Sequence, residues 1–443
     1  MSLKVIVVTY ILFQGQPSAC EDAYQTVSEI VSHSGYPVQV HHVTTFDGYI
    51  LALHRIPHGR KNTLSNKPVL MLQGAFIAAV GFVFTGVDHA LGYLLADEGY
   101  DVWLADVRGC HSSRNHTTLN PDTDPKFWDF SWNEMATIDV PAMIDYVLQT
   151  TNQPNLYYVG YSQGSALLFI TMSLYPEYNT KVRVHVGLAP GGYIDTKKIN
   201  PLHIFANSND LLNTFLERIG MNELPPPIYT FAQGATCRVS PDFCRFLLMT
   251  VFRYKPSEVN STIVTSFLKH FPASASRRQT IHILGLVRSG LFKMDDFGAG
   301  NVEVYGTSTP PLVNLGAVTA KTHLFCSDDD DIVSDFDVSR LCEELGACVE
   351  KHLVTEGTIK HLDWLMGPRI RELVYSKLVK VMAQSKGIII CRLLSRGTFR
   401  GTILGERRNE EVYEAPLPPG YNLYLGTTQC HLFHSQDDFV MSA

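Results

Sequence analysis

A serine with glycine two residues away on either side, Gly160-Tyr161-Ser162-Gln163-Gly164, is the first place in this chain where residue types and spacing point to chemistry. A hydroxyl attacks an acyl carbonyl only when it stands clear of its neighbours and has a base beside it. Glycines suit that position. A turn tight enough to project Ser162 brings the flanking segments together, and side chains at 160 and 164 would collide there. Ser165 and Ala166 keep the following turn thin. The base and the acid that orients it must come from elsewhere, and the 17 histidines and 43 acidic residues offer many candidates.

The stretch around the serine narrows its meaning. Leu156 to Val159 is a short apolar run, as expected of a strand. From Gln163 onward the residues are small and apolar, as expected of a buried helix. Strand, G-x-S-x-G turn and helix in that order form the nucleophile elbow of the α/β-hydrolase fold. The amide of Gln163 then opens a helix, where unpaired N–H groups and the macrodipole favour a developing negative charge. Gln163 is expected to supply half of an oxyanion hole, with Gly160 and Gly164 shaping the elbow.

The elements that must hold this turn are legible around it. Ile30 to Pro57 alternates apolar and polar residues around Phe46-Asp47-Gly48, the pattern of a β-hairpin. Pro68 to Gln73 is a continuous apolar run, as in a strand covered on both faces. A helical pattern from His89 to Glu98, a strand-like run from Tyr100 to Ala105 and a helix around Val140 to Leu148 follow. Strand and helix alternate, which predicts an α/β protein with a mainly parallel central sheet. Ligands in such sheets bind at the carboxyl ends of the strands, where the turn after Gln73 and the elbow both fall.

Composition excludes some functions. With a net charge of −7 the chain has no basic surplus for nucleic acid. In residues 1–20, Lys4 precedes an apolar core from Val5 to Phe13, too short to span a bilayer, so a secretory signal peptide is expected. No other stretch is long enough to span. Asn115 and Asn260 open glycosylation triplets. Among the nine cysteines, Cys237 with Cys244 and Cys342 with Cys348 are close enough to staple loops in an oxidising compartment. No cysteine or histidine spacing suits zinc, so neither a metal site nor a cofactor is expected.

Several longer blocks carry a resemblance. GYPVQVHHVTTFDGYILALHRIP, LADEGYDVWLADVRG, FWDFSWNEMATIDVPAMIDYVL, LYYVGYSQG and KHLDWLMG, in this order, resemble the acid lipase family, which includes gastric and lysosomal acid lipases and insect relatives. The resemblance runs from about Val31 to Met382. It implies a hydrolase core in two parts, residues 21–192 and 306–385, with a mostly helical cap or lid at 193–305. It implies a secreted or lysosomal enzyme acting on neutral-lipid esters, triacylglycerols or sterol esters, at a lipid–water interface.

The resemblance also assigns residues. His361, in a block similar to the family's HLD motif, is the expected base, consistent with the chain order serine, acid, histidine. The family's catalytic aspartate lies seven residues before an Asp-Val pair, here Asp337-Val338, which selects Asp330 from the run Asp328 to Asp331, with Asp331 and Asp329 as alternatives. Where the family has Leu-Gln-His-Gly-Leu, this chain has Leu72-Gln73-Gly74-Ala75-Phe76. Ungapped alignment makes the Phe76 amide the second oxyanion donor, with strain expected if Ala75 must take a positive φ. Tyr161 is a second departure, because relatives usually carry histidine there. These departures keep an alternative open: a lipid-binding or storage protein on the same fold. The cap would contain Pro225-Pro226-Pro227 and an amphipathic stretch from Phe243 to Phe252. Residues 386–443 lack periodicity and are expected to form a disordered extension.

Overall fold

The computed structural model describes residues 25–62, 66–194, 201–226, 261–357 and 359–384, with the strands His431–His434 and Phe439–Ser442. The chain falls into two compact units, Met1–Val381 and Met382–Ala443. The expected signal peptide, Cys237, Cys244 and Asn260 lie outside the described residues.

The first unit is built on a single eight-stranded sheet. Its strands are β1 (Gln39–Thr44), β2 (Ile50–Ile56), β3 (Pro68–Leu72), β4 (Asp101–Ala105), β5 (Leu156–Tyr161), β6 (Val182–Leu188), β7 (Thr322–Ser327) and β8 (Cys348–Val354). They lie in the order β1-β2-β4-β3-β5-β6-β7-β8. β2 pairs antiparallel with β1 and β4, and every pairing from β4 to β8 is parallel. Every residue of β3, β4 and β5 is buried, as the apolar runs require of strands covered on both faces.

Six helices matter here: α1 (Val27–His33), α2 (Leu91–Asp97), α3 (Val140–Thr151), α4 (Gln163–Leu174), α5 (Arg277–Ser289) and α6 (Asp335–Glu344). The start of the expected hairpin is corrected by α1. Residues up to His33 are helical, because Thr26 and Glu29 form a capping box on the first turn. The strand begins only at Gln39, and the turn itself falls as expected, with Thr44 facing Ile50. In α4 the residues from Gln163 to Met172 are all buried, as expected of a helix apolar all round.

Between β6 and β7 the chain leaves the sheet. This insertion contains the helices Pro201–Asn207, Asn209–Arg218 and Ser261–Leu268, then α5, and a two-residue ribbon that pairs Glu223–Leu224 with Ala275–Ser276. Between α6 and β8, Cys342 and Cys348 are joined in a disulfide. The second unit carries an antiparallel hairpin, His431–His434 with Phe439–Ser442, where no ordered element was expected. Its short runs are rich in aromatic and branched residues, which favour strands even without long periodicity.

Candidate active site

Ser162 sits between the last residue of β5 and the first of α4, with φ 49° and ψ −114°. A non-glycine residue there costs about 1–3 kcal/mol and persists only when its surroundings fix it. Its amide donates to the Leu188 carbonyl at 2.9 Å, and its carbonyl accepts from the Gly191 amide at 2.9 Å. A Cβ on Gly164 would lie 2.2 Å from the Leu72 carbonyl oxygen, and one on Gly160 would lie 2.6 Å from the Ser165 amide nitrogen. Neither position has room for a side chain.

Three loops at the carboxyl ends of parallel strands converge on this turn. His361 follows β8 and Asp330 follows β7. The Ser162 hydroxyl is 3.0 Å from His361 Nε2. His361 Nδ1 lies 3.1 and 3.0 Å from the two oxygens of Asp330. Asp330 is fully buried. Its carboxylate accepts from the amides of Ile332 and Val333 at 2.9 Å each and from the Trp364 indole at 2.9 Å. Of the two alternatives, Asp331 accepts the His361 amide at 3.3 Å, while the Asp329 amide donates to the Ser327 hydroxyl at 3.2 Å. Asp330 is therefore the carboxylate that meets the imidazole ring.

The electrostatics follow from this packing. Burial pushes the His361 pKa down, but the facing Asp330 carboxylate outweighs it and the net shift is upward. For Asp330, burial pushes upward, and His361 with the two amides brings the carboxyl below its ordinary value. The pair thus favours an ionised aspartate and an imidazole that accepts a proton readily.

Gln163 follows the serine, and Phe76 lies in the loop after β3, where a Cβ on Gly74 would be 3.3 Å from the Ser162 Cβ. Neither amide donates to a backbone acceptor among the described residues. The Gln163 side chain is clamped, because its Oε1 accepts from the Trp132 indole and the Gln279 amide, each at 2.6 Å. The strained residue of the neighbouring loop is Phe76, with φ 60°, and Ala75 is not at positive φ. The expectation of strain at Ala75 is corrected accordingly. The Phe76 carbonyl accepts from Ala273 at 2.7 Å, and the loop is pinned where the Ala79 amide donates to Asp106 at 2.7 Å.

Sequence reasoning missed Trp364, Trp132 and Gln279. Trp364 stood in a quoted block, but nothing in spacing linked its indole to Asp330. Gln279 lies 116 residues from Gln163, so no local pattern connects them. One further group was also invisible: His323, Glu350 and His352, placed side by side on β7 and β8. The histidine nitrogens are 3.2 Å apart, with centroids 5.4 Å apart and ring planes 9° apart. His352 Nδ1 also lies 3.0 Å from Glu350 Oε1, so the three side chains are close enough to share one ion. The Lys377 ammonium, 3.6 Å from Glu350, already balances the carboxylate. Asn115 is exposed, and no described helix is long and apolar enough to cross a membrane.

Comparison with known proteins bears on the fold and the family. Residues 67–208 match the alpha/beta hydrolase fold family, and residues 27–81 match the partial alpha/beta-hydrolase lipase region. Lipase 1 of Drosophila melanogaster is 36% identical over 371 residues, covering 82% of this chain and 81% of its own length. The gastric triacylglycerol lipase of Bos taurus is 33% identical over 385 residues, covering 84% and 95%. The crystal structure of a putative lipase from Sulfolobus solfataricus is similar with a TM-score of 0.51 at 16% identity, over 76% of this chain and 90% of that one, and supports the fold. Sheet, elbow and matches together define an α/β-hydrolase. More narrowly, the chain belongs to the acid lipase family, and it is a carboxylic ester hydrolase with lipase function.

Proposed function

We propose that this lipase hydrolyses neutral-lipid esters, triacylglycerols and sterol esters among them, through an acyl-enzyme on Ser162. The reading is carried by the unbroken hydrogen-bond path from Ser162 through His361 to Asp330. Ser162 Oγ attacks the acyl carbonyl carbon while its proton passes to His361 Nε2. Asp330 holds the ring by Nδ1 and stabilises the imidazolium. The amides of Gln163 and Phe76 receive the oxyanion. The departing alcohol takes the proton from His361. Water, deprotonated in turn by His361, then attacks the acyl carbon, releasing the fatty acid and restoring the Ser162 hydroxyl.

Residues 193–305 serve as the cap in this reading. Their helix Asn209–Arg218 presents Leu211 and Phe215 to solvent, continued by Ile219, apolar groups suited to a lipid surface. The family and the staple at Cys342–Cys348 favour a secreted or lysosomal location. The carrier alternative rests on the Gly74-Ala75 departure, and in this loop the positive φ falls on Phe76 instead of Ala75.

The test is fluorophosphonate labelling with mass spectrometry, alongside hydrolysis of emulsified long-chain triacylglycerol. An adduct on Ser162, with turnover lost in folded Ser162→Ala, is expected. Turnover retained in that variant would overturn the assignment.

A further inference from the structure

Gly74, in the loop after β3, and Tyr161, the last residue of β5, pack against each other. A Cβ on Gly74 would lie 2.8 and 2.9 Å from Cε1 and Cδ1 of Tyr161, closer than a ring edge can approach, and 3.3 Å from the Ser162 Cβ. Tyr161 is buried, and its ring lies 5.3 Å from the His361 imidazole with the planes 34° apart. Its hydroxyl donates to the main-chain carbonyl of His361 at 2.6 Å.

We infer that Tyr161 is a positioning residue for the catalytic base, and that residue 74 must lack a side chain for Tyr161 to do this. The inference rests on the role proposed above for His361. Four contacts define where that histidine stands. Ser162 and Asp330 hold the two ring nitrogens. Asp331 accepts the amide at 3.3 Å, a long bond, and Tyr161 takes the carbonyl at a much shorter distance. The Tyr161 side chain thus fixes the height of the backbone from which the imidazole hangs, and its ring limits how far the imidazole can tilt.

The hydroxyl is a dependable donor. It is buried beside Asp330, Asp331 and Asp363, so burial first and those carboxylates second hold its pKa well above the ordinary tyrosine value. Because Tyr161 immediately precedes Ser162, one residue of β5 ties the backbone that aims the nucleophile to the backbone that aims the base. Gly74 belongs to the loop that carries Phe76. The vacancy it leaves is filled by the Tyr161 ring, so oxyanion loop, elbow and base loop share one contact.

A double-mutant cycle tests this, read by kcat and KM on soluble p-nitrophenyl butyrate and by the rate of fluorophosphonate capture at Ser162. Tyr161→Phe keeps the ring and loses only the tether to His361. It is expected to lower kcat about tenfold with KM unchanged, as for a base displaced by a fraction of an ångström. Tyr161→Leu is expected to cost about a hundredfold. Gly74→Ala should lower kcat strongly in the native background and add little in the Tyr161→Leu background, because the ring it collides with is then gone. If Tyr161→Leu does not fold, the near-isosteric Tyr161→Phe carries the test by its split between kcat and KM.

Unchanged kcat in Tyr161→Phe, or Gly74→Ala and Tyr161→Leu acting independently, would overturn the inference. Such a result with normal capture at Ser162 overturns only the role of Tyr161. Absence of capture at Ser162 in the unsubstituted enzyme would instead count against the triad reading itself.

Discussion

The carboxyl ends of β5, β7 and β8 and the inserted helix Asn209–Arg218 treat polarity in opposite ways. Around Ser162 charged and polar groups are buried, and each meets a partner: Asp330 alone takes two amides and an indole in addition to His361. On the inserted helix one row of large apolar groups faces outward, with Leu211 77% exposed, Phe215 53% and Ile219, just beyond its end, 51%, while Leu216 is buried. Their spacing of four residues places them on one face. The difference teaches where each region's free energy is committed. Buried polar groups are costly to desolvate and so fix one geometry. Exposed apolar groups contribute little to folding and remain available to a surface.

The insertion is nevertheless anchored. At the start of α5, Arg278 pairs with Asp295 at 2.8 Å and with Asp129 at 2.9 Å, and the next residue, Gln279, reaches Gln163. One end of the insertion thus answers to the elbow while the Asn209–Arg218 helix leaves its apolar stripe uncovered.

Substitutions separate the two regions in order of size. Asp330→Asn should lower kcat by about ten-thousandfold, since the amide no longer holds His361 in the tautomer that accepts the serine proton. KM and thermal midpoint should change little by comparison. A loss under tenfold would mean that the buried side of the contrast is not catalytic. Arg108→Met strikes the same polar interior away from the chemistry. Arg108 is buried, with Asp139 at 2.7 Å, Asp47 at 2.7 Å and the Tyr49 ring 4.0 Å away. Removing it strands the fully buried Asp139 and should cost about 3–5 kcal/mol in a denaturant titration. The exposed pair Arg288 and Asp210 in the insertion, at 2.8 Å, should be worth less than about 1 kcal/mol when Arg288→Ala removes it.

On the apolar side, Leu211→Ser with Phe215→Ser should leave stability within about 0.5 kcal/mol, because neither side chain is buried. Hydrolysis of emulsified triacylglycerol should fall severalfold while turnover of a dissolved short ester stays constant. Equal losses on both substrates would dissolve the contrast and place the stripe in the folding core.

Much of the polar region was legible in the sequence, and the reason is local geometry. A strand, two glycines around a serine and a small-residue helix leave one three-dimensional solution, so Ser162, Gly160 and Gly164 came from a short stretch. His361 and Asp330 needed the longer blocks, because a histidine and an aspartate 31 residues apart carry no signal of their own. The strain at Phe76 was misplaced by one residue, since the sequence gives no φ. The contacts of Trp132 and Gln279 with Gln163, and of Tyr161 with His361, join distant segments and became visible only when the sheet brought them together. The hairpin His431–His434 with Phe439–Ser442 was missed because its strands are too short to show a period.

The smallest predicted effect concerns pH. In the proposed mechanism His361 must be neutral to take the serine proton, so the acidic limb of kcat/KM is expected to follow its pKa. That pKa is raised overall. Burial lowers it, and the charges of Asp330 first and Asp331 second more than offset the burial. The limb is therefore expected on the alkaline side of an ordinary histidine. Asp331→Asn removes one raising charge while leaving a side-chain oxygen to accept the His361 amide. The sign is fixed: with less negative charge nearby the imidazolium is less stable, so the limb moves to lower pH and relative activity in acid rises. Profiles of kcat/KM from about pH 4 to 9 on a soluble ester would show this as a displaced limb with an unchanged plateau. A limb that stays in place would mean that solvent screens Asp331 and that the polar interior ends at Asp330. A limb that moves the other way would mean that the backbone contact outweighs the charge.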